Sequence, residues 1–321
     1  MHFLGFQGIQ PLLEEEIISL SKLQKICLTN EVPNHYKPSA WRVLLGVLPI
    51  YRDAWVFVEE QNTISYLELK RATHLIRYGI LNEDIDKVEI VDSNLDSRAK
   101  LIADIWVTHQ SLTFRNTEDD LELSDLIVIA RVFCKVCNNE VDAYWSFEKF
   151  LCPTYQDRIV SLIERLTAVL PKIDPQLSSF FIENNIKLEY FCDRWLRTRF
   201  ASCFSENFLL RLWDKVIASS APSIPNRTSQ LDSFEILLSI SILIVSKNQI
   251  YPLDASEIPH YLRNKKFEEA EAIFAKTLDL YSVLLNEDKN TFNSKNTNTQ
   301  QQPSNDNPKK LSSAPTYFKK K

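Results

Sequence analysis

Residues 189–214 read EYFCDRWLRTRFASCFSENFLLRLWD. Tyr190, Phe191 and Trp195 sit in a basic segment that predicts one helix beginning near Glu189. A short break follows. Ser205 then stands where an N-cap belongs, and Phe208, Leu209, Leu212, Trp213, Val216 and Ile217 recur at the spacing of one helical face. Two consecutive helices joined by a tight, basic corner point to an all-helical fold.

The neighbouring sequence continues in the same way. Upstream, Ile159, Leu162, Ile163, Leu166, Val169 and Leu170 share a helical face, and Pro171 is expected to stop that helix. Asp174-Pro175 offers an N-cap followed by proline at the first helical position, starting a short helix through Phe180-Phe181. Downstream, the serine- and proline-rich stretch 219–228 ends the Trp213 helix. Asp232 to Ser246 is apolar on nearly every side, the pattern of a central helix wrapped by others. From Phe267 the apolar positions run Ala270, Ile273, Phe274, Thr277, Leu278, Tyr281 and Leu285, with Glu268 and Glu269 facing the positive end of the helix dipole. Residues 4–23 alternate apolar and acidic groups and suggest a short helix packing on the domain. The chain has four glycines in 321 residues, which leaves few places for hairpin turns that need positive φ. Helix connections manage with Asn, Asp, Ser and Pro. The expected class is all-α: a single multi-helix domain over residues 31–285, an N-terminal helical extension over 1–30 and a disordered tail over 286–321.

Charge supports that division. Seven lysines against three acids give residues 286–321 a balance of +4, so the total of −5 leaves the first 285 residues at −9. An acidic body repels phosphate backbones, so a nucleic-acid role is unsupported. The tail is rich in Asn, Thr, Gln, Ser and Pro, and buries too little apolar area to offset its ordering entropy. Its Lys309-Lys310 and Lys319-Lys320-Lys321 read as solvated charge runs rather than as a lipid or import signal. Met1 to Leu20 lacks a basic start and carries Glu14, Glu15 and Glu16 where a secretory signal is apolar. The longest apolar run, 236–245, is half the length a membrane helix needs. A cytosolic chain without a transmembrane segment is expected.

Six cysteines form no dense framework and read as reduced core residues. Cys134-x-x-Cys137 lies in an apolar run that predicts a buried helix, and the five histidines are isolated from one another, so no metal site is expected. Phosphate-cradling and nucleophile-elbow glycine motifs are missing, and no cofactor is expected.

Three motifs carry a resemblance to a known family. Trp41-Arg42-Val43-Leu44-Leu45-Gly46 is similar to the opening W-x-x-L-L-G of the TBC domain of Rab GTPase-activating proteins, and Asp142-Ala143-Tyr144-Trp145 to its central E-A-F-W. The 189–214 stretch, with Trp195, Trp213 and Asp214, resembles its closing motif. In active members the resemblance implies two side chains delivered to the bound GTPase: an arginine from I-x-x-D-x-x-R, and a glutamine from Y-x-Q that orients the attacking water. An arginine finger is worth about 10³–10⁵ in rate, because phosphoryl transfer is governed by positioning and electrostatics.

Both departures are visible in the sequence. The glutamine belongs near Glu118 to Ser124, yet none occurs between Gln110 and Gln156, and Tyr155-Gln156 reads as a loop pair. For the arginine the nearest matches are Leu81-x-x-Asp84-x-x-Lys87, with lysine at the critical place, and Arg77, with His74 where the family has aspartate. Lysine does not reproduce the planar guanidinium fork. Arg77 reads either as a solvated helix-face residue or as the finger of an active Rab-directed GAP. The opening motif also departs, with Lys37 where the family usually has arginine.

A TBC domain without fingers resembles in particular the branch that supplies the third subunit of the tuberous sclerosis complex, over about Tyr36 to Tyr281. That resemblance implies a non-catalytic scaffold bound to the C-terminal coiled coil of a hamartin-like chain. Through it the scaffold would join a tuberin-like subunit that acts as a GAP toward Rheb and restrains TOR signalling, with recruitment to lysosomal or endosomal membranes through these partners. A coiled coil docks on a helix pair with more apolar surface than its core face requires. The segment 121–137 fits that description, so Leu123, Ile127 and Phe133 are the expected contacts, with ordinary core burial as the competing reading.

Overall fold

Trp213 sits in the aromatic cluster of the core. The structure, a computed structural model, describes residues 8–79, 94–113, 123–151, 155–220 and 227–297. Its helices are α1 (Ile9–Glu14), α2 (Leu20–Thr29), α3 (Lys37–Leu45), α4 (Trp55–Tyr78), α5 (Leu95–Thr113), α6 (Leu123–Val136), α7 (Glu140–Leu151), α8 (Tyr155–Ile173), α9 (Pro175–Glu183), α10 (Glu189–Arg197), α11 (Glu206–Ser219), α12 (Arg227–Val245), α13 (Lys247–Ile250), α14 (Ile258–Asn264) and α15 (Ala270–Thr297). Among the described residues, extended pairing is confined to one bridge between Ile17 and Tyr51. The fold is all-α, as expected. No described helix is long and apolar enough to cross a membrane.

Up to Asp279 the chain forms one compact unit, and a second begins at Leu280. The described part of the second is the remainder of α15, which passes position 285, expected as the end of the folded body, and runs to Thr297. Residues 298–321, the rest of the expected tail, lie outside the described residues.

The core of the first unit joins α3, α6, α7 and α11. Trp213 meets Phe150 at 4.5 Å and Phe133 at 5.3 Å between ring centres, and Trp41 closes the cluster at 5.9 Å from Phe133. These centroid distances and tilted geometries are those that aromatic pairs prefer. The indole N–H groups of Trp41, Trp213, Trp195 and Trp145 each find an acceptor. Trp41 donates to Asp214 Oδ1 at 2.9 Å, Trp213 to the Arg199 carbonyl at 3.0 Å, Trp195 to the Leu262 carbonyl at 3.1 Å and Trp145 to the Asn62 carbonyl at 2.9 Å. Gly46 ends α3 at φ +78°, the left-handed C-terminal conformation that glycine adopts without a Cβ penalty. Gly79 does the same for α4.

The N-terminal helices are clamped to α11 by buried polar groups. α2 packs on α11, where Gln24 donates its amide to the Ala218 carbonyl at 2.8 Å. Lys215 reaches back to cap the C-terminal end of α2, donating to the Cys27 carbonyl at 2.7 Å and to the Asn30 carbonyl. Residues 4–23, expected as one short helix, contain α1 and the start of α2 instead, separated by a break at Glu15–Ser19.

Local expectations fare unevenly. Asp174 caps α9, accepting from the Leu177 amide at 3.0 Å, with Pro175 at the first helical position. Ser205 occupies the N-cap of α11 without a side-chain bond of its own. Pro171 does not stop its helix; it lies inside α8, which reaches Ile173. A proline in the last turn forfeits a single backbone bond, and packing of the apolar face retains the helix. The final helix starts at Ala270 rather than Phe267, because Phe267 donates its amide to the Cys203 carbonyl and belongs to the preceding connection.

The corner between α10 and α11 is backbone in the left-handed region without glycine, with Arg199 at φ +48° and Phe200 at φ +64°. Such positions cost about 1–3 kcal/mol each and persist only when the surroundings over-determine them. Here Trp213 holds the Arg199 carbonyl while the Arg199 guanidinium donates to Glu235 Oε1 at 2.6 Å and to the Phe150 carbonyl at 3.3 Å. Glu235 lies on α12, buried on nearly every side as expected, and Arg158 also donates to it. Burial pushes the Glu235 carboxyl up, but the two guanidiniums outweigh it and hold it below the ordinary carboxylate range. Glu206 is likewise held down, by hydrogen bonds from Lys135 and Arg131.

Carboxylates whose folded-state pKa is depressed contribute stability that is present above the unfolded value of 4.5 and lost as pH falls through the folded values. The urea midpoint should therefore stay level from neutral pH down to about pH 5 and fall steeply below about pH 4. A Glu235→Gln variant should start lower and fall less steeply. An acid limb unchanged by that substitution would contradict the assignment.

Candidate functional site

Arg77 lies in the last turn of α4, and its environment differs from the sequence expectation. His74, one turn back, supplies no carboxylate, but α5 does: Arg77 Nη1 donates to Asp104 Oδ1 at 2.6 Å and Nε to Thr108 Oγ1 at 3.3 Å. Asp104 and Thr108, one turn apart on α5, are both buried. The guanidinium is therefore held by a cross-helix ion pair rather than standing as a freely solvated arginine. A partner 27 residues later in the chain is invisible to a motif that looks three residues back. The Leu81-Asp84-Lys87 alternative and residues 118–122 of the expected glutamine region lie outside the described residues. Tyr155-Gln156, read as a loop pair, instead forms the first turn of α8.

The expected docking contacts on α6 separate. Phe133 is 0% exposed at the centre of the Trp41–Trp213 cluster, so it is core and is removed from the docking surface. Leu123 and Ile127 are half-buried. The reason is that α6 packs against both α5 and α7, which consume the apolar surplus that suggested a groove. Cys134 and Cys137, on α6 and just beyond it, are both buried, and burial pushes each thiol up to about 12.

Among the described residues, five exposed large apolar side chains, Val56, Phe57, Ile64, Leu75 and Ile76, lie on α4. One face of that helix is anchored: Tyr66 donates to Glu140 Oε2 at 2.9 Å, Lys70 donates to the same oxygen at 3.1 Å, and Thr73 is buried. The opposite face carries Phe57 at 63%, Ile64 at 53% and Leu75 at 47% exposure. Phe57, Ile64 and Leu75 stand 7 and 11 residues apart, with Gln61, Glu68 and Arg71 between them on the same helix face. At 1.5 Å per residue the stripe from Phe57 to Leu75 is about 27 Å long. Sequence reasoning missed it because the anchored face of α4 carries Tyr66, Lys70 and Thr73, so no single apolar stripe marks which side faces the core.

Residues 124–251 match the model of the Rab-GTPase-TBC domain. Over this stretch the chain is similar to a TBC domain. Over 290 residues it is 26% identical to TBC1 domain family member 7 of Danio rerio, covering 87% of this chain and 91% of that protein. The Homo sapiens protein of the same name is 24% identical over 292 residues with the same coverage. Among solved structures, the Ypt/Rab-GAP domain of Gyp1p superposes with a TM-score of 0.64 at 16% identity, over 87% of this chain and 98% of that one. The flagellar RabGAP TBC domain of Chlamydomonas gives 0.57 at 14% identity, over 81% and 84%. These two likenesses speak to the fold.

Within this fold the motif residues do structural work. Trp41 of the opening motif and Asp214 of the closing motif are bonded to each other, while Trp213 holds the strained corner from within the core. Arg42 donates to Asp142 Oδ1 at 2.7 Å, tying the opening motif to the central one.

Proposed function

We propose that this chain is a non-catalytic TBC-domain scaffold that binds a hamartin-like coiled coil. Through it the chain would join a tuberin-like subunit acting as a GAP toward Rheb, and so restrain TOR signalling. The likeness to TBC1 domain family member 7 over most of both chains supports the reading. The observation that carries it is the exposed seam of Phe57, Ile64 and Leu75 on α4, whose spacing and length suit a partner helix. The docking surface moves accordingly from α6 to α4.

A second reading, a Rab-directed GAP using Arg77, draws on one observation: Asp104 provides an orienting carboxylate. The two readings part on a single substitution. An arginine finger is worth about 10³–10⁵ in rate. If the chain is a scaffold, Arg77→Ala leaves single-turnover GTP hydrolysis by a panel of Rab proteins within twofold of the unsubstituted protein. A loss of hundredfold or more in stimulated hydrolysis would establish the GAP reading and sink the scaffold.

A further inference from the structure

α8 and α9 pack against each other, and a cavity of about 560 Å³ lies between them. Ile163 and Leu170 line it from α8, Phe181 and Ile182 from α9, and Ile186 and Leu188 from the connector to α10. The way α9 ends folds that connector back. Asn185 takes the left-handed conformation at φ +54°, its amide donates to the Ile182 carbonyl at 3.1 Å, and the Ile186 amide donates to the Phe181 carbonyl at 2.9 Å. These are the paired bonds of a Schellman end, which returns the residue after the turn to the last turn of its helix. Backbone bonds thus set one wall of the cavity, and its volume falls in the range of about 300–1,000 Å³ that ligand sites occupy. Its apolar rim is open to solvent. Ile182 is 76% exposed, and Val160, on the same face of α8 as Ile163, is 56% exposed.

Carboxylates set the charge around this rim. Lys187 and Glu189, which also line the cavity, pair with each other at 3.4 Å and add no net charge. Glu164 and Glu183, the exposed neighbours of Ile163 and Ile182, then decide the local sign. We propose that the cavity is a docking site for a short basic segment of a partner protein, whose large apolar side chain enters beside Ile182 while its flanking Lys or Arg residues meet Glu164 and Glu183. An apolar anchor in a pocket supplies affinity, and complementary charges beside it supply partner choice and association rate. The same carboxylates repel an acidic segment or an anionic lipid surface. None of the residues lining the cavity belongs to α4, so failure of this proposal would leave the scaffold reading untouched.

Selection from a random peptide library displayed on phage, with the full chain as bait, tests this. Basic peptides adhere to any acidic protein, so the control bait is the full chain with Val160→Ser and Ile182→Ser, which keeps the charge and alters two exposed positions. The expected result is a family of peptides with Phe, Leu or Trp between Lys or Arg residues. Fluorescence anisotropy should show the selected peptide binding the unsubstituted chain at least about tenfold more tightly than the control. Glu164→Gln with Glu183→Gln should weaken the same peptide at low salt, and the difference should close as salt screens the charges. Enrichment of acidic flanks, equal affinity for the two baits, or the lack of any enriched family overturns the proposal. Binding to phosphatidylserine vesicles that the control bait loses would make a lipid the occupant and overturn it. Self-association that the double substitution abolishes would do the same by making a second copy the occupant.

Discussion

Asp214→Ala destabilises the folded protein by about 3–5 kcal/mol, the cost of leaving one member of a buried ion pair without its partner. Lys37 and Asp214 are 1% and 0% exposed and meet at 2.6 Å. Burial pushes the Asp214 carboxyl up, and the Lys37 ammonium beside it opposes that shift. Removing the carboxylate also deprives the Trp41 indole N–H and the Val32 amide of their acceptor. The loss therefore loosens α3, α11 and the segment between α2 and α3 together. Urea unfolding measures it directly. Replacing both charges, as in Lys37→Met with Asp214→Leu, should recover part of the loss, because no uncompensated ammonium remains. A single-variant loss below about 1 kcal/mol would mean that the pair is hydrated rather than buried.

The second large effect is on binding. Ile64→Asp should weaken the complex with the coiled coil by at least about 30-fold, corresponding to roughly 2 kcal/mol or more at the centre of an interface. Its effect on folding should stay within about 0.5 kcal/mol, since substitutions at exposed positions away from special features are usually that small. The contrast separates a docking residue from a core residue. Phe133→Ala illustrates the opposite behaviour: it opens a cavity among Trp41, Phe150 and Trp213 and should cost about 3–5 kcal/mol of stability. Leu123→Ala, on α6, should leave affinity unchanged, and a loss of binding there with none at Ile64 would return the docking surface to α6.

The fold was legible where local chemistry and helical period agreed. Asp174-Pro175 started α9, the apolar run 232–246 gave the central helix α12, and the 189–214 stretch gave α10, the corner and α11. What sequence spacing missed is what depends on distant partners. Pro171 continues its helix because packing outweighs one missing backbone bond. Asp104 orients Arg77 from another helix, and periodicity within α4 carries no trace of it. Phe133 was misread because a helix enclosed by neighbours and a helix offering a groove share the same apolar surplus. Exposure alone distinguishes them, and it favours Phe57, Ile64 and Leu75. The meaning of the motif residues also emerges only in three dimensions. Trp41 and Asp214 are 173 residues apart in sequence and bonded in the core.

The most direct test of the scaffold account is affinity purification of the chain from native lysate, with and without residues 286–321, followed by mass spectrometry. The account predicts that both forms recover hamartin-like and tuberin-like chains, and that Ile64→Asp removes them. Recovery of a Rab protein in the absence of those chains would contradict it.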